Sequence, residues 1–353
     1  MDRRGPRVLM LAAAVVVVMV VVAACTPADV EPDEPDVAAA TNVPELVREV
    51  APQTVSVEIT GADGVPGAGS GVIWSSEGDI VTNAHVVAIA EEVAVVLADG
   101  SRFDAEVLAT DVRTDVAVLR IEASGIPAAT FSGALPEIGD FALALGNPLG
   151  FQNTATAGIV AGVDRSLPLV PGGPTLVGLI QTDAAISSGN SGGALVGANG
   201  EVIGINVAAI EGEQVPGVAQ GLGFAIPSTT VVPVVEQLLE DGEVAHAFLG
   251  IAGVSVSPQL ADRFDLQAER GALIGEVQPG GPADEAGLRQ GDVIVVLDDE
   301  DVDSLGDLLR ILRRLEPDER VAVDVLRNGE QMTVEVTLGE LPDEELRAPA
   351  PTP

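Results

Sequence analysis

No lysine and no tyrosine occur in this chain of 353 residues, which has one cysteine, two histidines and one tryptophan. Each shortage excludes something. The single cysteine, Cys25, rules out an intrachain disulfide and any multi-cysteine metal site. All 17 basic residues are arginine, against 54 acidic ones, so the formal charge is −37. Such a surface repels nucleic acid and anionic lipid headgroups, and nucleic acid is excluded as a partner. There is no Walker-type glycine loop and no cluster with metal-ligand spacing, so no nucleotide, metal or other cofactor is expected. Aromatics make up only 2% of the residues while 47% are hydrophobic, so the cores must be built from Val, Ile, Leu and Ala. Val and Ile favour strands, and the length suffices for two domains.

The N-terminus carries Arg3, Arg4 and Arg7, then an unbroken apolar run from Val8 to Ala24 that ends in Val22-Ala23-Ala24-Cys25. This resembles a bacterial lipobox, in which Cys25 would become the lipidated first residue. A retained membrane anchor stays open as the alternative, although the run is short beside the roughly 20 residues a spanning helix needs. Either way residues 1–25 put the rest of the chain outside the cytoplasm, tethered to the membrane by lipid or anchor. Residues 26–42 are acidic, rich in proline and without periodicity, and read as a disordered tether.

Beyond Val43 the pattern is mostly β. A short helical turn from Pro44 to Val50 is followed, up to about Pro227, by short apolar runs separated by turn signals. Asp99-Gly100 and Asn199-Gly200 each lie between two such runs, which predicts hairpins. Many short strands without intervening helices predict a sandwich or a barrel. Residues 229–246 are expected to form a helical connector, with Ser228 as its cap, Val232, Val235, Leu238 and Leu239 on one face, and Gly242 as its stop. A second unit spans residues 247–341. It combines strand-like runs, a helix capped by Ser304 with Leu305, Leu308, Leu309 and Leu312 on one face, and a hairpin at Asn328-Gly329. Residues 342–353 are polar and proline-rich and predict an unstructured tail.

Three short stretches carry chemistry. In Gly189-Asn190-Ser191-Gly192-Gly193 the serine is uncrowded, and its neighbours are free to turn N–H groups toward one point. Taken alone, this reads equally well as a glycine-rich turn. His85, in Thr82-Asn83-Ala84-His85-Val86-Val87, is the only histidine of the β-rich unit, and a core role is open to it. Asp115 heads an apolar strand, where aspartate is ordinarily a turn residue.

Together these stretches resemble the three catalytic blocks of the HtrA (Deg) serine proteases. The blocks around Ala68–Gly71, Ala144–Gly150 and Gly221–Pro227 are similar to further blocks of that family, so the resemblance runs from about Val43 to the end of the chain. It implies a chymotrypsin-like double β-barrel protease domain over 43–228 and a PDZ domain over 247–341. It also implies Ser191 as nucleophile, His85 as general base and Asp115 as its orienter, with the backbone N–H groups of Gly189 and Ser191 as the oxyanion hole. The base of the primary pocket would be Ala185, with Ile205, Val207 and Ile226 near it, favouring cleavage after small aliphatic residues rather than Arg or Lys.

In the second unit, Phe248-Leu249-Gly250-Ile251 resembles a carboxylate-binding loop for hydrophobic C-terminal peptides, with Leu308, Leu309 and Leu312 forming the opposite wall. Relatives commonly carry an arginine before this loop. Here His246 occupies the neighbourhood, which would make carboxylate capture pH-dependent. Ser187-Ser188 replaces an Asn-Pro pair of relatives. The short Gly61–Gly67 connection resembles that of the simpler trimeric members, so a homotrimer is expected. The implied activity is ATP-independent endoproteolysis of unfolded polypeptides in extracytoplasmic quality control. A chaperone with latent proteolysis, resting on the PDZ groove and on loops Gly146–Gly150 and Pro171–Pro174, and a signalling cleavage of one partner both remain open.

Overall fold

In the computed structural model the described residues are 41–341 apart from 63, 148–153, 169–174, 188, 208–221 and 265. The signal segment with Cys25, nearly all of the tether, the 342–353 tail, Ser188 and most of the two turn-rich loops lie outside them. The first described element is helix α1 (Val43–Val50), which buries Leu46 and Val50.

Two closed barrels follow. The first orders its strands β1-β2-β3-β6-β5-β4: β1 (Thr54–Gly61), β2 (Pro66–Ile73), β3 (Asp79–Thr82), β4 (Ala90–Val96), β5 (Arg102–Asp111) and β6 (Val116–Ile121). The second orders them β10-β11-β12-β9-β8-β7: β7 (Phe141–Gly146), β8 (Thr154–Pro168), β9 (Thr175–Thr182), β10 (Ala194–Val196), β11 (Val202–Val207) and β12 (Gly223–Pro227). Closure leaves no edge strand unpaired, which suits strands as apolar as β6, where all residues but Arg120 are buried. Gly100 and Gly200 turn the β4–β5 and β10–β11 hairpins at φ 88° and 84°. The β1–β2 connection is as tight as expected, closed by Gly61 N–H to Val65 O at 3.0 Å.

Helix α2 (Ala84–Val87) interrupts the first barrel, and α3 (Ser228–Glu240) follows the second. Two expectations for α3 are corrected. Its N-cap is Pro227 and Ser228 is its first residue; no side chain caps the helix, and the Ser228 hydroxyl donates to Ser132 O at 2.7 Å. Its buried face runs through Val231, Val234, Val235 and Leu238, with Val232 only half-buried. That face joins a core cluster holding Val81 and Val118 of the first barrel and Leu143 and Ile205 of the second, so α3 clamps the barrels together as well as leading out of them.

The second unit is a sheet of β14 (Ile251–Ser255), β15 (Ala272–Val277), β16 (Val293–Leu297), β18 (Arg320–Arg327) and β19 (Glu330–Thr337), in that order. The short β17 (Glu300–Asp301) pairs with β16, and β13 (Ala247–Phe248) pairs with β20 (Gly339–Glu340). Helices α4 (Pro258–Phe264), α5 (Pro282–Ala286) and α6 (Leu305–Leu312) complete it. Ser304 caps α6 as the sequence indicated, its Oγ accepting from Asp307 N–H at 3.1 Å. Asn328 and Gly329 form the β18–β19 turn at φ 53° and 81°.

Candidate active site

The turn between β5 and β6 places Asp115. Asp111 closes it, one carboxylate oxygen accepting from Arg113 N–H at 3.1 Å and the other from Thr114 N–H at 3.2 Å and the Thr114 hydroxyl. Asp115 then takes a left-handed backbone at φ 58°. Its carbonyl accepts from Asn83 Nδ2 at 3.0 Å and from Ala84 N–H at 3.2 Å, which fastens the turn to the start of α2. The same helix carries His85. The His85 backbone N–H donates to Asp115 Oδ1 at 2.9 Å, and its ring Nδ1 lies 2.7 Å from Oδ2. Asp115 is 1% exposed and the imidazole 41% exposed. A carboxylate buried against Nδ1 keeps the proton there and leaves Nε2 as the basic nitrogen.

Ser191 comes from the second barrel, in the turn before β10, and is 2% exposed. Gly192, at φ 81°, lets the turn lie directly on the histidine segment: a Cβ there would collide with Ser70 O and Thr82 Oγ1, and would stand 3.2 Å from Asn83 N. A Cβ on Gly69 would lie 2.8 Å from Val86 and 3.2 Å from Ser191 O. Glycine at these two positions is therefore what brings the serine turn against the residues flanking His85. Gly192 N–H donates to Asn206 O at 2.9 Å and Asn206 N–H to Gly193 O at 2.8 Å, tying the turn to β11. On the other side Asn190 N–H donates to Ser187 O at 2.8 Å.

The residues assigned to the primary pocket separate. Ala185 is exposed, its carbonyl accepting from the Thr156 hydroxyl at 2.7 Å. Ile205, Val207 and Ile226 are 0%, 1% and 1% exposed, packed in the core cluster the two barrels share. The expectation that these three line the pocket is corrected: their side chains point inward from β11 and β12 and offer no surface to a substrate.

In the second unit Phe248–Ile251 borders a cavity of about 180 Å³ whose other side is Leu305, Leu308, Leu309 and Leu312. Leu308 and Leu312 are also core residues at 1% and 6% exposure. Gly250 takes φ 77°, and β14 pairs with β15 alone among the described strands, leaving the edge beside α6 unpaired. His246 does not stand ready for a carboxylate. Its Nε2 pairs with Asp111 Oδ1 at 2.9 Å, with side chains 11% and 4% exposed. Burial pushes the Asp111 carboxyl up, but the hydrogen bond and charge of His246, with the Thr114 and Arg113 bonds, hold it below the usual range. Arg313, which the sequence did not single out, donates to Val177 O at 3.0 Å and to Arg113 O at 3.3 Å. Burial outweighs the attraction of Asp111 and lowers its pKa to about 10, so it is charged at neutral pH.

Two six-stranded barrels, with a histidine–aspartate pair from one and a serine in a glycine-rich turn from the other, define a chymotrypsin-like fold with a protease-type site. Comparison with known proteins agrees. Residues 69–205 match a trypsin-like peptidase domain, and residues 247–338 match a PDZ domain. The chain is 42% identical over 276 residues to a probable periplasmic DegP-like serine endoprotease of Halomonas elongata, covering 78% of this chain and 57% of that one. It thus spans little more than half the length of such relatives. It is 37% identical over 337 residues to the periplasmic pH-dependent serine endoprotease DegQ of Escherichia coli, covering 86% and 71% of the two chains. A solved structure of the HtrA-type protease AlgW with a tripeptide superposes with a TM-score of 0.71 at 35% identity, covering 85% and 97%. The chain belongs to the HtrA (Deg) family of serine endoproteases.

Proposed function

We propose that the protein is an ATP-independent serine endopeptidase acting outside the cytoplasm, with its PDZ domain receiving hydrophobic C-terminal peptides. The observation that carries this reading is the buried Asp115 carboxylate 2.7 Å from Nδ1 of a half-exposed His85, with the Ser191 turn packed on the adjoining residues. In this reading His85 Nε2 takes the proton of Ser191 as its oxygen attacks the peptide carbonyl. Asp115 offsets the charge that develops on the ring. The N–H groups of Gly189 and Ser191 receive the oxyanion, and His85 returns the proton to the leaving amine. With Ala185 where a carboxylate would select Arg or Lys, cleavage follows Val, Ala or Leu in unfolded chains. The open edge of β14 beside the apolar face of α6 supports peptide addition as an extra strand. Periplasmic relatives, together with the Cys25 lipobox pattern, support an extracytoplasmic, membrane-tethered enzyme, and the family resemblance supports a homotrimer.

The test is digestion of casein and of a peptide library by the wild type and by Ser191→Ala, alongside labelling with a fluorophosphonate. Labelling and cleavage after small aliphatic residues are expected from the wild type alone. Cleavage by Ser191→Ala, or a preference for Arg or Lys, would sink the reading. Intact casein at all temperatures with suppressed aggregation would favour the chaperone instead.

A further inference from the structure

Ser70 belongs to the Ala68–Gly71 stretch, which the catalytic triad leaves without a role. It lies on β2, is 0% exposed, and faces Ser56 of β1 in the strand register. Four hydrogen bonds leave this one residue. Its hydroxyl donates to Gly189 O at 2.8 Å and accepts from Asn147 N–H at 2.8 Å. Its backbone N–H donates to Ser191 O at 2.8 Å, and its carbonyl accepts from the Thr82 hydroxyl at 2.7 Å. A single first-barrel residue therefore grips the nucleophile turn on both sides of Asn190, the strand that leads to His85, and the segment just after β7.

An oxyanion hole works only if its donors stay aimed at one point while charge develops. Gly189 has no side chain to restrain its two peptide planes, and glycine tolerates almost any backbone rotation. Asn190 does not supply the restraint through its side chain, since both its amide atoms are buried without a partner among the described residues. The Ser70 hydroxyl can, because it ties the Gly189 carbonyl to a barrel strand. Were that carbonyl free to swing toward the site, it would bring an oxygen to the position where negative charge must be stabilised.

We propose that Ser70 is a positioning residue for the oxyanion hole: its hydroxyl, with the Asn190 N–H bond to Ser187 O, fixes the Gly189–Asn190 peptide plane, which links the planes carrying the Gly189 and Ser191 N–H groups and so keeps those two groups convergent. This rests on the assignment of Ser191 as nucleophile.

The test compares Ser70→Ala with Ser56→Ala in the full chain. Ser56 is equally buried in the same barrel, and its hydroxyl has no partner among the described residues, so its loss measures a buried Ser→Ala change without the Gly189 and Asn147 contacts. For Ser70→Ala the turnover number should fall about a hundredfold, near the loss of one oxyanion donor. KM should stay within about twofold, since ground-state contacts are untouched. Affinity for a peptidyl trifluoromethyl ketone, whose adduct carries the oxyanion, should fall in parallel. The pH–rate midpoint should not move, because His85 and Asp115 keep their pairing. The thermal midpoint should lie below that of Ser56→Ala, because only Ser70→Ala leaves the Gly189 carbonyl and the Asn147 N–H without their partner, so turnover is compared well below both midpoints. Should Ser70→Ala not fold, Ser70→Cys, with a weak S–H donor, takes its place and should give a smaller loss of the same kind. Unchanged turnover, or a loss that only follows the thermal midpoint, overturns the proposal. If instead Ser191→Ala retains activity, it is the nucleophile assignment that has failed, whatever Ser70 does.

Discussion

Asp115 holds a left-handed backbone, at φ 58°, that costs a residue with a side chain about 1–3 kcal/mol. Two hydrogen bonds to its carbonyl and two from His85 to its carboxylate hold it there. Asparagine at 115 could accept from only one of the two His85 donors and would present its own N–H₂ to the other. Asp115→Asn should therefore keep the fold but favour the wrong imidazole tautomer. The expected result is a turnover number lower by about ten-thousand-fold near neutral pH, partly recovered at alkaline pH, with a thermal midpoint close to wild type. A loss of less than tenfold in steady-state assays would remove Asp115 from the triad. His85, Asp115 and Ser191 could be put forward as candidates from the sequence because their neighbouring residues resemble the blocks of the family. Ser70 and Asp111 could not, because a buried serine and a turn aspartate look like any others until their partners are known.

Local signals at the ends of elements were legible to the extent that nothing competed for the signalling side chain. Ser304 is followed by the free backbone N–H of Asp307, and it caps α6. Ser304→Ala is expected to cost the PDZ unit about 1 kcal/mol, read as a lower midpoint for its transition in denaturant titration. A cost near zero would mean the Ser255 hydroxyl, which accepts from Leu305 N–H at 3.0 Å, suffices as the cap. Ser228 offers the same residue type at the start of α3, yet the helix takes Pro227 as its N-cap and Ser228 as its first residue, and the hydroxyl turns to donate to Ser132 O at 2.7 Å. The α3 face was misread by one position for a related reason. Valines surround the helix, and the choice of Val231 and Val234 over Val232 falls to the barrels they pack against.

Over the whole molecule, the PDZ unit is docked on the protease barrels by charge as well as by packing. Besides the His246–Asp111 and Arg313 contacts, Arg310 of α6 reaches Asp164 of β8 at 3.6 Å, and Asp164 meets Asp307 carboxyl to carboxyl. Burial, then the hydrogen bond and charge of Asp307, raise the Asp164 carboxyl above its ordinary value, with Arg310 and Arg165 pulling the other way. A raised carboxyl favours the protonated form when docked. This contact is thus strongest below the ordinary aspartate range and weakens as pH rises through the raised value. Asp111, held below the usual range, loses its contribution only as pH falls further, so the two windows do not overlap. Energy transfer between dyes on the two units should report looser docking from mild acid to neutrality, and Asp164→Asn should flatten that dependence. An unchanged dependence in the variant would assign it elsewhere.

By itself the sequence determined what short-range physics controls: β-rich cores from Val and Ile, hairpins at Asp99-Gly100, Asn199-Gly200 and Asn328-Gly329, the α6 cap, and three reactive residue types in recurring blocks. Tertiary structure alone decided what depends on elements far apart in the chain. It put Ile205, Val207 and Ile226 into the core and turned His246 toward Asp111. It also brought Ser70 under the Gly189–Ser191 turn, its hydroxyl on Gly189 O 119 residues away. The reason is one of range: a turn or cap is settled by neighbours a few bonds away, whereas a buried polar side chain takes whichever partner barrel closure and domain docking deliver.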